Sequence, residues 1–223
     1  IVKNNQLKKT KDTIICHPDV RKMLLEQKSF IEGARAFAVW SSLLIDQSNY
    51  LNDEDANGLV SLLVPIFKAF LSDKGFESTV TAQQVLGGQG YIEDSEMSQF
   101  VRDSRIAMIY EGTNGIQAID LVGRKLTAAG GKHIMAFISE VKTFTKDSID
   151  DEAFKNDFII PLEKSINDLE KSLDYFLKNG LTDPNNALSG ATDFLHLFGH
   201  VILGYLWSKI AKISLTRISK NLE

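Results

Sequence analysis

The sequence predicts an all-α fold, and three observations support that prediction. Apolar residues recur at helical spacing along most of the chain, most regularly in the set Leu59, Leu62, Leu63, Ile66, Phe67 and Phe70. Only four prolines occur among 223 residues, which favours long helices over a turn-rich β fold. No segment alternates apolar and polar residues strictly enough to favour a strand over a helix.

Helix boundaries follow from the residues that begin and end each periodic segment. Residues 1–16 are polar and rich in lysine, so we predict a linker there. Pro18 suits the first turn of a helix, and Pro65 predicts a kink in the next one. The pair Gly87-Gly88 predicts the end of that second helix, because glycine readily takes the positive φ that closes a helix. The predicted helices cover about residues 19–49, 52–87, 96–106, 113–128, 133–146, 152–178 and 187–219.

Glycines and a proline also divide the chain into larger parts. Gly130-Gly131 predicts a boundary between one helical unit at residues 17–130 and a second at 131–223. Asn179-Gly180 and Asp183-Pro184-Asn185 predict the turn between the last two helices.

Composition narrows the class of protein. The net charge of −4 does not suggest a large basic surface for nucleic acid. Cys16 is the single cysteine, which excludes an internal disulfide and suits a reducing cytoplasm. No apolar run approaches the roughly 18 residues of a membrane span. The chain does not begin with Met, and we expect it to be a piece of a longer protein.

Glu111 is the first candidate for catalysis. It follows the apolar run Ile106–Ile109 and precedes the polar, glycine-bearing sequence Gly112–Gln117. A carboxylate held against apolar surface is poorly solvated when ionised, which makes it a stronger base. Gly112 allows close approach of a ligand to the backbone. The alternative is an ordinary helix start, with Thr113 as its N-cap and Glu111 merely solvated.

Histidines offer a weaker signal. His196 and His200 stand at the i, i+4 spacing that can bind a metal, but no third ligand is close in sequence. We therefore predict no metal site and expect both to occupy ordinary positions on an amphipathic helix.

Three motifs, in this order and spacing, resemble the C-terminal part of acyl-CoA dehydrogenases. They are QVLGGQGY at 84–91, FVRDSRI at 100–106 and IYEGTN at 109–114. The segment at 17–24 and the long tail after Leu126 resemble the subgroup with an extra C-terminal helical domain, which includes 3-methylmercaptopropionyl-CoA dehydrogenases. The resemblance implies the family's C-terminal four-helix bundle, followed by an additional helical domain.

The resemblance also implies FAD as cofactor and a role for each matching residue. Glu111 would remove the α proton of an acyl-CoA thioester while the β hydride passes to FAD, giving a 2-enoyl-CoA. Its backbone N–H would help to bind the thioester carbonyl. Gly112 is assigned to substrate binding, and Glu32 remains a minor alternative base. The residues assigned to the flavin are Thr113, Asn114 and Gly115, and those assigned to the adenosine diphosphate part of a neighbouring subunit's FAD are Gln84, Gly87 and Gly88.

Partners follow from the same resemblance. It implies an acyl-CoA substrate, an electron-transfer flavoprotein as electron acceptor, and a homodimer or dimer of dimers that shares FAD sites. One feature departs from the family pattern, because residues 1–16 lack the arginine that reaches the partner's FAD diphosphate in relatives. Arg102, Asp103 and Arg105 are expected to form structural ion pairs, with Arg102 alternatively holding the Glu111 segment.

Other functions remain open at this stage. The chain could be a non-catalytic helical interaction module that keeps the family scaffold, or part of an acyl-CoA oxidase. A DNA-associated flavoprotein of the same superfamily would have a basic tail. From Gly131 onward there are 11 lysines and arginines against 13 acidic residues, which argues against that class.

Overall fold

The computed structural model describes residues 12–147, 151–180 and 182–221, and this part of the chain contains helices and no strand. The all-α prediction is therefore confirmed. The α-helices, in chain order, are α1 (Pro18–Leu51), α2 (Glu54–Val85), α3 (Gly88–Tyr91), α4 (Met97–Arg105), α5 (Asn114–Asp120), α6 (Lys132–Lys146), α7 (Glu152–Phe154), α8 (Ile160–Asn179), α9 (Pro184–Ser189) and α10 (Ala191–Asn221). Most of the linker predicted at 1–16 lies outside the described residues, and Ile14–Cys16 form a 3-10 turn.

The chain forms two compact units. The first contains the described residues up to Glu32 together with Ser72–Ile109. The second contains Gly33–Leu71 and the residues from Tyr110 onward. Helices α1 and α2 each contribute one part to each unit, and every other α-helix belongs to one unit alone.

The core of the second unit is built around aromatic rings on α10, α6, α1 and α2. Phe137 lies at ring-centroid distances of 5.1 Å from Phe198 and 6.2 Å from Tyr205. Phe70 on α2 is fully buried. A Cβ placed on Gly199 would meet the Phe70 ring at 2.4 Å, so glycine is required for this close approach of α10 to α2. Trp40 and Trp207, both half-buried, also lie in this unit, Trp40 near Phe137 and Trp207 against Gly33.

Most predicted helices are observed within a few residues of their expected bounds, although their ends differ. Helix α2 continues through Pro65, which is buried, and it ends at Val85, just before the predicted Gly87-Gly88 pair. The helix predicted at 113–128 is α-helical only over α5, and Leu121–Lys125 continue it as a π-turn. A second π-turn, Lys155–Ile159, precedes α8, where Pro161 lacks the N–H that a regular turn would use.

The prediction of a turn at 183–185 followed by one helix at 187–219 is wrong in two respects. Pro184 does not lie in a turn but occupies the first turn of α9, whose N-cap is Asp183, with its side chain accepting a hydrogen bond from the Asn186 N–H at 3.1 Å. The helix then breaks at Gly190 before α10 begins.

Helix α10 also qualifies the expectation of no membrane span. The segment Ala191–Ile218 is long and apolar enough to cross a bilayer, but 56% of its most apolar window is buried inside the structure. A core helix has the same length and composition, and the buried residues of α10, which include Phe194, Phe198 and Ile202, belong to the core of the second unit.

Candidate functional site

Glu111 lies in the second unit, in the loop that precedes α5. Its φ is 56°, and that of Gly112 is 83°, so two successive residues have left-handed backbone. This conformation is ordinary for glycine but unfavourable for glutamate, whose Cβ crowds the following carbonyl. The Glu111 side chain is exposed, in contrast to the poorly solvated carboxylate that the sequence suggested.

Lys68 on α2 donates two hydrogen bonds to this loop. Its ammonium donates a hydrogen bond to the carbonyl oxygen of Gly112 at 2.8 Å and another to Oδ1 of Asn114 at 2.7 Å. The side-chain amide of Asn114 in turn donates from Nδ2 to the carbonyl oxygen of Ala69 at 3.2 Å. One turn of α2 therefore binds both ends of the Asn114 amide as well as the Gly112 carbonyl.

Two further hydrogen bonds fix the start of α5. Gln117 donates from Nε2 to the carbonyl oxygen of Glu111 at 3.2 Å. The Thr113 hydroxyl accepts from the Ile116 N–H at 3.4 Å, which confirms the predicted N-cap. Among the described residues, the Glu111 carboxylate itself has no ion-pair or hydrogen-bond partner, so the loop presents it to solvent.

The candidate flavin residues differ in whether their polar groups are already hydrogen-bonded within the protein. The side chain of Asn114 is engaged inside the protein, and the Thr113 hydroxyl caps α5. Gly115 is exposed, and a Cβ placed there would meet open space. At this loop, backbone groups and the Gly115 surface are therefore what a bound flavin could contact.

The candidates for the adenosine diphosphate part lie in the first unit, at the corner where α2 ends. Gln84, Gly87 and Gly88 are all exposed, and neither glycine has an atom within 4 Å of where a Cβ would stand. Gly87 has φ 59° and ψ −144°, a conformation that side chains rarely adopt. The open, glycine-lined surface fits close approach of a phosphate group to the backbone.

Arg102 belongs to the first unit and forms a local ion pair. Its guanidinium lies 3.2 Å from Glu93 and also donates to Gln99 at 2.8 Å. The hydrogen bond from Arg102 lowers the pKa of Glu93, and the same bond raises the pKa of Arg102. Arg102 thus forms an ion pair, as expected, with Glu93 as its partner. The expectation differs for the other two residues, because Asp103 accepts a hydrogen bond from Gln99 at 2.7 Å and Arg105 lies over the ring of Phe76 at 5.8 Å.

His196 and His200 pack against the ring of Phe70 at centroid distances of 5.6 and 5.0 Å. Within the described ranges, no group of three or more metal-binding side chains occurs. Both histidines lie on α10 beside the core of the second unit.

Lys68 was not singled out by the sequence analysis, although the sequence contains a signal for it. It is the one charged residue in the apolar run 59–70, and a lysine at a partly buried position must find acceptors for its ammonium. What the sequence does not contain is the identity of those acceptors, which stand 44 and 46 residues away.

Comparison with protein families gives matches over most of the chain. The family described as "Acyl-CoA dehydrogenase, C-terminal domain" matches residues 4–127. The family described as "Acetyl-CoA dehydrogenase C-terminal like" matches residues 137–222. The candidate substrate and cofactor residues at 84–88 and 111–115 all lie in the first of these matched regions.

Individual relatives agree with the family match. The 3-methylmercaptopropionyl-CoA dehydrogenase of Ruegeria pomeroyi is 34% identical over 195 residues, which are 86% of this chain and 33% of the relative. The broad-specificity linear acyl-CoA dehydrogenase FadE5 of Mycobacterium tuberculosis is 27% identical over 217 residues, covering 92% of this chain and 35% of the relative. The chain thus spans about one third of the length of these relatives.

A solved structure shares the fold. Caenorhabditis elegans ACDH-11, in complex with C11-CoA, superposes with a TM-score of 0.74 at 17% identity, over 85% of this chain and 32% of that one. At this identity the likeness concerns the fold alone. Because the family of C-terminal domains matches more than half of the sequence, this chain belongs to the acyl-CoA dehydrogenase family.

Proposed function

We propose that this chain is the C-terminal part of an FAD-dependent acyl-CoA dehydrogenase, in which Glu111 is the catalytic base. The observation that supports this most directly is the left-handed Glu111–Gly112 turn, which exposes a carboxylate without a partner among the described residues. The turn lies in the region that matches the family. Backbone strain in a non-glycine residue at an exposed loop is typical of functional sites.

The proposed reaction removes two hydrogens from the acyl group. The Glu111 carboxylate takes the α proton of the thioester, and the electron pair of that bond forms the double bond to the β carbon as hydride leaves it. FAD supplies the acceptor for that hydride when it is bound. The Glu111 backbone N–H donates to the thioester oxygen, where negative charge develops. The product is a 2-enoyl-CoA.

FAD would contact two surfaces of this chain. The flavin would lie against the backbone at Thr113, Asn114 and Gly115, and the Gln84, Gly87 and Gly88 corner would bind the adenosine diphosphate of a second subunit's FAD. The open space at Gly87, Gly88 and Gly115 supports this assignment. A shared site requires a dimer or a dimer of dimers.

The remaining parts of the proposal concern substrate and acceptor. We propose 3-methylmercaptopropionyl-CoA as the first substrate to test, because the relative that is 34% identical is named for it. Pentanoyl-CoA is the matched comparison, since it replaces the sulfur by a methylene in a chain of equal length. An electron-transfer flavoprotein in the cytoplasm is the proposed acceptor.

The deciding experiment is Glu111→Gln in the flavoenzyme that contains this chain. The amide keeps the shape of the side chain and loses its basicity, so flavin reduction by acyl-CoA should fall by roughly 10² to 10⁴-fold while FAD stays bound. Glu96→Gln is the control, because Glu96 is also exposed and also has a positive φ, of 58°. Stopped-flow bleaching near the wild-type rate in Glu111→Gln would overturn the assignment.

A second measurement concerns the isolated 223-residue chain. Because its relatives are about three times longer, the chain supplies parts of two FAD sites and completes neither. We expect it to purify without stoichiometric flavin and to bind added FAD weakly in equilibrium dialysis. A yellow chain with one FAD per molecule would contradict the proposed division of the site.

A further inference from the structure

We propose that Lys68 is a positioning residue for the catalytic base: its ammonium holds the Glu111–Gly112 turn in the left-handed conformation that presents the Glu111 carboxylate. This inference rests on the proposed function, because the orientation of the Glu111 carboxylate matters for catalysis only if Glu111 is the base. Lys68 acts through the backbone and has no contact with Glu111's carboxylate in the structure.

The ammonium of Lys68 has two acceptors in and beside the Glu111–Gly112 turn. Ile66 and Ala69 beside it on α2 are buried, and Lys68 itself is half-buried. A partly desolvated ammonium must be matched by acceptors, and hydrogen bonds from a charged donor are stronger than those between neutral groups. The Gly112 carbonyl at 2.8 Å and Asn114 Oδ1 at 2.7 Å supply two such acceptors.

The turn needs an external restraint. A left-handed glutamate is unfavourable and persists only where the surrounding structure fixes it. Gln117 lies within the same loop and helix, so its bond to the Glu111 carbonyl moves together with the turn. Lys68 instead belongs to the long helix α2, so it ties the turn to a rigid element.

Asn114 completes the attachment. Its Oδ1 accepts from Lys68, while its Nδ2 donates to the carbonyl of Ala69, the next residue along α2. Three hydrogen bonds thus join adjacent positions of one helix to the two residues that flank Thr113. Loss of the ammonium removes two of them and leaves the Gly112 carbonyl without this donor.

The first test uses the 223-residue chain without cofactor and measures amide hydrogen–deuterium exchange. Lys68→Met removes the ammonium and keeps much of the side-chain length, so amides in 111–117 should exchange roughly 10-fold faster. The matched control is Lys125→Met, because Lys125 is also half-buried and its ammonium also donates a hydrogen bond to a residue distant in sequence, the Ser61 hydroxyl of α2, at 2.7 Å. Unchanged exchange at 111–117 in Lys68→Met would overturn the inference.

The second test uses the flavoenzyme that contains this chain. Lys68→Met should lower the rate constant of flavin reduction roughly 10 to 100-fold, while the substrate concentration for half-maximal rate changes less than about twofold, since orientation rather than binding is lost. Lys68→Arg keeps the charge but has a larger, planar head group, so it should recover part of the rate and not all of it. A half-saturating substrate concentration that rises as much as the rate constant falls in Lys68→Met would show that Lys68 serves binding, and it would overturn the positioning role.

The two proposals can fail separately. If Glu111→Gln reduces flavin normally, the proposed base is wrong, whatever Lys68→Met does. If Glu111→Gln is inactive and Lys68→Met reduces flavin within twofold of wild type, the inference about Lys68 alone is wrong. If Lys68→Met does not fold, Lys68→Gln replaces it in both tests, because the shorter, neutral amide removes the ammonium, keeps a polar group at this half-buried position and should show the same two changes.

Discussion

The Glu111–Gly112 turn and the corner at Gly87 reach positive φ by different means. At the turn, a glutamate is held in the left-handed region by hydrogen bonds from Lys68 and Gln117. At the corner, a glycine takes the conformation itself, and the nearby bonds are local, from Gly87 N–H to the Gln84 carbonyl and from Gly90 N–H to the Gly87 carbonyl.

The difference shows that the conformation of the corner depends on its local sequence, whereas that of the turn depends on tertiary contacts. The corner is specified within seven residues by where glycines stand, so its conformation is written in the local sequence. The turn depends on residues more than forty positions away, so it forms only when α2 is in place. A glutamate in such a turn is therefore oriented by tertiary structure. Its orientation can be lost through a substitution elsewhere in the chain, without any change in the turn's own sequence.

The largest effect is expected at the corner, from Gly90→Val. A Cβ at Gly90 would stand 2.4 Å from the Gln83 carbonyl oxygen and 2.9 Å from the Leu86 Cβ, so the backbone must move. We expect the free energy of unfolding to fall by about 3 kcal/mol. Urea denaturation followed by circular dichroism measures it, with Gly88→Ala as control, because a Cβ there meets open space. Equal stability of the two variants would show that the corner relaxes freely.

Asn114→Ala should lower the free energy of unfolding by less than Gly90→Val, because the other hydrogen bonds of the turn remain. The substitution removes the acceptor for Lys68 and the donor to the Ala69 carbonyl, and we expect a loss of about 2 kcal/mol. Asn179→Ala is the control, since that amide makes a local bond to the Tyr175 carbonyl four residues earlier. A loss no greater than in the control would mean that the attachment to α2 contributes little to stability.

Glu111→Gly should change stability in the opposite direction from activity. It relieves the left-handed strain of a non-glycine residue, partly offset by the greater chain entropy of glycine, so we expect a gain of about 0.5 kcal/mol. Calorimetric unfolding of the 223-residue chain would then give a slightly higher midpoint, while the flavoenzyme that carries the change loses flavin reduction. A lower midpoint would show that the glutamate side chain itself stabilises the turn.

The smallest effect concerns pH and the first unit, which contains the corner. The hydrogen bond from Arg102 lowers the pKa of Glu93 below its ordinary value of 4.5. Stability from the pair is present above pH 4.5 and is lost as pH falls through the lowered pKa of the folded state. Because both groups are exposed, we expect only a slight fall, abolished in Glu93→Gln and weakened by salt. Acid unfolding curves that coincide for wild type and variant would show that the pair contributes nothing.

Helices and caps could be predicted because their signals are local. The apolar spacing from Leu59 to Phe70 places α2, and Thr113 occupies the expected N-cap of α5. The break at Gly190 could not be predicted in the same way, because buried Ala187, Ala191 and Leu195 keep i, i+4 spacing across it and the periodicity continues.

The sequence position of the candidate site could be predicted, but its backbone conformation and the exposure of Glu111 could not. The order of glycine, carboxylate and amide residues points to 111–115, but nothing near Glu111 in the sequence indicates a positive φ for a glutamate. That conformation depends on Lys68, and no periodic or turn pattern relates residues separated by 44 positions. Exposure of Glu111 was missed for a related reason, since an apolar run before it in sequence need not cover it in space.

Helix α10 has a consequence for the order in which the chain matures on the ribosome. It is translated after α1, α2, α5, α6 and α8, yet it contributes Phe198, Ile202 and Tyr205 to the core of their unit. Until α10 emerges, the rings of Phe70 and Phe137 lack the contacts that Gly199, Phe198 and Tyr205 make with them in the folded unit. The core of the second unit therefore cannot be completed before α10 is synthesised, and until then its apolar surface favours association with other chains.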